Sequence, residues 1–206
     1  GSKTVAIGYG VLQNQNFTTS TDSFNTAVGY NAGAAVTTGT QNSLVGYNAG
    51  GALTDADFNI AIGSNALSTD TLGSKSIAIG TQALNVQNFT TATDTHNIAI
   101  GYQAGVSVTV GIQNTLIGGL AGDALTEGAR NTAVGTFALT NDVKGNYSTA
   151  IGYGALSASN QTTSVNTYNT AVGYLAGEAV TTGRFNNLIG GLAGDALTDG
   201  SANVAI

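Results

Sequence analysis

Few residues in this chain can do chemistry, and their spacing assembles none of the familiar sites. His96 is the only histidine, and there is no Cys, Met, Trp or Pro among the 206 residues. Without Cys there is no thiolate nucleophile, no disulfide framework and no Cys-ligated zinc. Nothing in the spacing around His96 supports a Ser-His-Asp arrangement, and a ring-sized surface position is the better reading of that residue. The carboxylates come closer to a pattern: Asp55 and Asp57 are two apart, and Asp123 and Glu127 are four apart. Such pairs serve glycoside hydrolysis when they converge on one bond, or calcium binding when more oxygens join them. Neither the EF-hand nor the calcium-binding nonapeptide pattern is present. The expectation is solvated loop charge, with no metal, no cofactor and no enzymatic activity. Tyr9, Tyr30, Tyr47, Tyr102, Tyr153 and Tyr174 each follow a glycine. Tyrosine stripes can stack on sugar rings, but packing or an interface is the preferred reading.

Composition narrows the function classes further. Five Lys and Arg against 11 Asp and Glu give a net charge of −6, and only 8% of residues are charged. Five cations cannot track a phosphate backbone, so nucleic-acid binding is excluded. No apolar run approaches the ~18 residues of a membrane span, and none reads as a signal peptide, so membrane insertion is not expected. A hydrophobic fraction of 42% argues against disorder. With no Met, the sequence reads as a fragment or processed product, and Gly1-Ser2 as a cloning remnant.

Those sparse groups hang on a repeat. A five-residue phrase ending in Val or Ile and then Gly recurs as NTAVG (25–29), NSLVG (42–46), NIAIG (59–63), SIAIG (76–80) and onward to NNLIG (186–190). TVAIG (4–8) opens the series and NVAI (203–206) closes it. The anchor glycines are 8, 29, 46, 63, 80, 101, 118, 135, 152, 173 and 190, with spacings of 17 and, in every fourth unit, 21. Four units therefore make one super-repeat, dividing the chain into 8–79, 80–151 and a partial 152–206. Asn stands four before the Gly except at Thr4, Ser76 and Ser148, which recur once per super-repeat. The chain reads as one repetitive domain, a segment of a longer fibre.

Each unit is too short for a helix pair and carries no 3.6-residue stripe, while Val or Ile before Gly favours extended backbone. One unit therefore predicts one coil of a parallel β-solenoid, about 12 coils in all. Gly supplies the tight corners. Asn25, Asn42 and Asn59, as the next best left-handed residues, predict a corner ladder. Val28, Val45, Ile62, Ile79, Ile100, Ile117, Val134, Ile151, Val172 and Ile189 predict a buried ladder at the core or at an interface between chains. All 16 charged residues lie outside the window from four before to four after the anchor Gly. A strand uncharged on both faces suggests burial of both, and one coil has a single inside. The other face needs a partner, most simply a like chain around a shared axis.

The phrases NTAVGYNAG (25–33), NSLVGYNAG (42–50), NIAIGYQAG (97–105) and NTAVGYLAG (169–177) resemble the repeats of trimeric bacteriophage tail fibres. NIAIG and SIAIG are also similar to the head repeats of trimeric autotransporter adhesins. The resemblance covers essentially the whole chain. It implies a homotrimer of parallel β-coils, left-handed in the adhesin heads, although the adhesin unit is shorter than this one. It also implies an extracellular setting, on a virion tail or a bacterial surface.

The wider coils, one in every four, carry NFTTSTD (16–22), NFTTATD (88–94) and a drifted NQTTSVN (160–166). Their four extra positions must bulge outward, since neighbouring coils fix the core path. One reading is a structural bulge. The other is a knob that contacts a cell-surface glycan or protein receptor through Phe17, Thr18, Thr19, Asp22, Phe89, Thr90, Thr91 and Asp94. The expected function is thus a structural and adhesive fibre segment. A polysaccharide-cleaving β-helix enzyme and an ice-binding solenoid are the alternatives. Scarce carboxylates disfavour the first, and a Thr column broken by Ile60, Ile77 and Ile98 disfavours the second.

Overall fold

The computed structural model describes residues 2–206. They form an all-β stack with no helix, so no helix among them is long and apolar enough to cross a membrane. One parallel sheet of 12 strands runs the length of the chain, each strand supplied by one coil. Its rungs begin at Val5–Ile7, Thr26–Val28, Ser43–Val45 and Ile60–Ile62, and end at Asn187–Ile189 and Val204–Ala205. Pairing is in register with the repeat: Ala6 faces Ala27, Ala27 faces Leu44, and Ala99 faces Leu116. Two smaller pairs tie each wide coil to the coil before it: Gly73–Ser74 with Thr93–Asp94, and Gly145–Asn146 with Val165–Asn166. A single bridge from Ser2 to Asp22 makes the same tie one super-repeat earlier.

The anchor glycines are fixed by contact as well as by backbone. Gly118 has φ +134°, and a Cβ there would lie 2.6 Å from both the carbonyl carbon and the oxygen of Gly135 one coil on. Coils separated by one strand spacing leave no volume for a methyl at this corner.

Asparagine sets which strand face points inward. Asn42 donates from Nδ2 to the Ala56 carbonyl at 2.8 Å, and its backbone N–H donates to Oδ1 of Asn25 at 2.8 Å. Asn59, Asn114, Asn131 and Asn186 repeat both bonds in their own coils. The Asn ladder exists, but inside the coil and without left-handed backbone. The left-handed residue is the one before it, such as Phe24, Gln41 or Phe58. With Asn inward, the period of two turns the middle strand residue inward as well. Ala27, Leu44, Ala61, Ala78, Ala99, Leu116, Ala133, Ala150, Ala171 and Leu188 are accordingly fully buried.

The Val/Ile row therefore faces away from the interior of its own coil. The ladder expected to be buried there is, within one chain, the Ala/Leu row beside it. Val28, Ile79, Ile100, Ile117, Val134 and Val172 are half-buried, whereas Val45, Ile62, Ile151 and Ile189 are exposed.

The narrow core is filled by residues that trade places. Where the fourth residue after the anchor is Gly, the seventh is apolar: Gly33 with Val36, Gly50 with Leu53, Gly105 with Val108, Gly122 with Leu125. Where the fourth is Leu, the seventh is polar: Leu12 with Gln15, Leu67 with Asp70, Leu84 with Gln87, Leu139 with Asp142, Leu156 with Ser159. The five leucines take left-handed backbone, φ from 46° to 55°, at a cost of about 1 kcal/mol or more each. Leu44 in turn fills the space beside two glycines, since a Cβ at Gly33 or Gly50 would meet its methyls at 2.7 Å.

Candidate interaction surfaces

The outward strand face carries no charged residue in any coil. It carries two rows, the Val/Ile row and a second row that reads Val5, Thr26, Ser43, Ile60, Ile77, Ile98, Thr115, Thr132, Thr149, Thr170, Asn187 and Val204. The exit corner carries the tyrosines. Tyr9 stacks on Tyr30 at 5.3 Å between ring centroids, Tyr30 on Tyr47 at 5.7 Å, and Tyr153 on Tyr174 at 5.7 Å. The entry corner, just before the Asn ladder, is also aromatic. Tyr147 stacks on Tyr168 at 5.1 Å and Tyr168 on Phe185 at 5.5 Å, with the Arg130 guanidinium over Tyr147. His96 sits in this column between coils, exposed and at φ 51°, where the super-repeat also puts Phe24 and Tyr168. It is a ring-sized surface position, as expected from the sequence.

The wide coils present less than the sequence suggested. Thr18, Thr19, Thr90 and Thr91 are exposed. Phe89 does not: it is buried, and this corrects its assignment to a receptor-facing knob. Its N–H donates to Asp70 Oδ1 at 2.9 Å, and its carbonyl accepts from Leu72 N–H and the Thr71 hydroxyl. These bonds fasten Phe89 to the coil beneath before the chain bulges. Phe17 is half-buried. Asp22 and Asp94 are exposed but engaged, paired with Lys3 at 2.6 Å and with Lys75 at 2.5 Å. Hydrogen bonds from Lys3 and then Ser2 hold the Asp22 carboxyl below its ordinary value.

The third copy departs from this pattern in a coordinated way. Tyr147 stands where Lys75 stood and Asn166 where Asp94 stood. Asn166 Nδ2 now donates to the Tyr168 hydroxyl at 3.2 Å. Both partners of the ion pair have changed together; that bond lies within one coil, and the two coils are tied here by the Tyr147–Tyr168 stack and by the pairing of Gly145–Asn146 with Val165–Asn166.

The acid pairs read from the sequence do not converge. Asp55 accepts from the Thr38 hydroxyl at 2.5 Å, and Asp57 Oδ1 accepts from the N–H and hydroxyl of Thr40 at 2.6 and 2.9 Å. Asp123 accepts from the Thr140 hydroxyl, while Glu127 pairs with Lys144 at 2.8 Å. Each acid is bound to an adjacent coil and none faces its sequence neighbour across a cleft. Among the described residues no three His, Cys, Asp or Glu side chains gather as metal ligands.

Two other acids matter more to the architecture. Asp70 and Asp142 are fully buried in the coil that precedes a wide coil. Asp70 Oδ1 accepts from Gly73 and Phe89 N–H, and Oδ2 accepts from Gln87 Nε2 at 2.6 Å. Asp142 accepts from Gly145 N–H, Gln161 N–H and the Ser159 hydroxyl, at 3.0, 3.1 and 3.0 Å. Loss of water outweighs these bonds and raises the Asp142 carboxyl above its ordinary value. Asp70 and Asp142 lie one super-repeat apart, each three after a left-handed Leu, and that pairing of Leu with a polar residue was the sequence signal that marks them.

No protein-family model, curated protein or solved structure matches this chain.

Proposed function

We propose that the chain is a structural and adhesive segment of an extracellular fibre, built from three parallel copies whose outward strand faces meet around a common axis. The observation that carries this is the outward face itself. It is a 12-strand surface of Val, Ile and Thr with one Ser and one Asn, without one charge, and Val45, Ile62, Ile151 and Ile189 on it are more than a third exposed in the single chain. The Val/Ile row on it is unbroken from coil to coil, and a soluble monomer rarely leaves a contiguous apolar surface of that length in water. Threefold closure rests on the resemblance to tail-fibre and adhesin repeats.

In this reading the coils work mechanically, as a stalk of stacked rungs. The threonine bulges of the wide coils, near Thr18, Thr19, Thr90 and Thr91, recur every four coils on the outside and are the surface for a glycan or protein receptor. The setting is a virion tail or a bacterial surface. Sedimentation equilibrium tests the assembly: a species of three times the 20.4 kDa chain mass is expected. A stable monomer at micromolar concentration would sink the proposal.

A further inference from the structure

The entry corner holds large side chains on backbone that disfavours them. Every residue of this column, from Lys3 through Ala202, has φ between +50° and +62°. Gly and Asn suit that region best, yet neither occurs there. All but Ala202 are Lys, Phe, Gln, His, Arg or Tyr. Stacking along the column returns part of this cost, yet Phe24, Phe58, Tyr168 and Phe185 still keep 45–51% of their surface exposed. The exit corner is equally well supplied. Where the first residue after the anchor is not Tyr, the second is often large, as in Gly119-Leu120, Thr136-Phe137 and Gly191-Leu192.

We infer that these two corners form the seam between neighbouring copies, entry corner of one against exit corner of the next, in parallel and coil for coil. The inference rests on the self-association proposed above and specifies its geometry. Each strand enters at one corner and leaves at the other. Copies arranged in a ring around an axis parallel to the stack therefore bring unlike corners together, a head-to-tail contact that closes. Another copy also has the same rise per coil, so contacts stay in step over the whole height. The face with both corners is about 50 Å tall and about 20 Å wide. That is on the order of 1,000 Å² per chain, enough for a stable interface. The chemistry of the two columns agrees at the same level. Lys3 meets Tyr9 and Arg130 meets Phe137, cations against rings, and His96 meets Tyr102, ring against ring; neither column itself carries an acid, and Lys3 is also paired with Asp22 of its own chain.

The chain has no Cys, which makes the seam directly testable. Gln41 and Tyr47 occupy the two corners of one coil, on either side of the strand Ser43–Val45, roughly 15–20 Å apart within a chain. A Gln41→Cys/Tyr47→Cys variant treated with a short bis-maleimide should give a covalent trimer on a denaturing gel. Each single variant should stay monomeric, as should Gln41→Cys with Tyr153→Cys in a distant coil. Gln113→Cys with Leu120→Cys repeats the test elsewhere in the stack, should one pair fail to fold. If the double variants sediment as oligomers but yield no covalent trimer, the seam is wrong and the association survives. If the distant pair crosslinks as well as the same-coil pair, the coil-for-coil register is wrong. A monomer by sedimentation removes both the association and the seam.

Discussion

The side-chain amide of Gln87 donates to the carboxylate of Asp70 at 2.6 Å, one coil away, with both groups fully buried. Gln87 is held on its other side as well. Its Nε2 also donates to the Ser76 hydroxyl at 2.9 Å, and its Oε1 accepts from Asn97 Nδ2 at 2.8 Å. The amide can therefore not be turned over without losing Asn97. In the next super-repeat the partner of Asp142 is the hydroxyl of Ser159, which can rotate to accept instead of donate.

This difference predicts opposite responses to the same substitution. Asp70→Asn places an NH2 group against the Gln87 NH2, leaving a buried donor unpaired, and should cost about 1–3 kcal/mol. Asp142→Asn keeps an oxygen for Gly145 and Gln161 N–H and offers its NH2 to Ser159. It also removes a desolvated charge, so its effect should lie within about 1 kcal/mol of zero, on the favourable side. Urea unfolding of the two variants would compare them. Equal losses would show that the hydroxyl does not adapt.

The pH dependence follows from the sign of the Asp142 shift. Its carboxyl is raised in the folded chain, so the folded state favours the protonated form. That favourable contribution is fully present below the unfolded carboxylate value of 3.8 and is lost as pH rises through the folded value. Relative to wild type, Asp142→Asn should therefore gain stability between pH 3 and pH 7. The Asp22 carboxyl is shifted downward and works the other way. Its pairing with Lys3 is intact above 3.8 and weakens as pH falls through the lowered value. Parallel melting curves at both pH values check the prediction. A stability difference between wild type and Asp142→Asn that does not change with pH would contradict it.

Neighbouring glycines offer a sharper contrast. A Cβ on Gly118 would strike the Gly135 carbonyl at 2.6 Å, on backbone at φ +134°. Gly119, one residue later, has only Thr136 Cγ2 at 4.0 Å and no positive φ. Gly118→Ala should lower the melting temperature severely, by mechanisms worth several kcal/mol. Gly119→Ala should be neutral or add up to ~1 kcal/mol by restricting the unfolded chain. Similar melting temperatures for the two variants would mean that the corner is not sterically closed.

Much of this fold is legible in the sequence. The two spacings of the anchor glycine fix the rung register, and the uncharged phrase marks the strands. The inward direction is not legible from apolar residues alone, because Ala27 and Val28 are both compatible with a core. Asn25 decides it: a polar side chain repeated at one position without charge binds backbone inside the coil, where its amide has both a donor and an acceptor to satisfy. The Phe89 misassignment has a related origin. A motif with four extra positions looks exposed throughout, but its first aromatic residue is tied down by Asp70 in the coil beneath. The exchange between Leu84 with Gln87 and Gly105 with Val108 is present in the sequence as an anticorrelation. Its meaning depends on the volume that two adjacent coils share.

Val134 and Ala133 test the two faces of a single strand. Ala133 is fully buried in its own coil, and Val134 points outward and is half-buried. Ala133→Asp would put an unpaired carboxylate among stacked alanines and leucines, at a cost of several kcal/mol, and should prevent folding. Val134→Asp should leave the single coil stack nearly intact, since its carboxylate can reach water at the outer face. If copies meet through that face, however, a ring of three places like charges close together where no cation waits, and association should weaken by at least tenfold. Circular dichroism would show β structure retained in Val134→Asp and lost in Ala133→Asp. Sedimentation would then show the folded Val134→Asp protein shifted toward monomer. Leu116→Lys belongs with Ala133→Asp, because Leu116 is fully buried in the inner row. Lys144→Glu, which breaks only the surface pair with Glu127, should change stability by no more than about 1 kcal/mol. A Val134→Asp variant that associates as wild type does would show that this face meets water and not another chain.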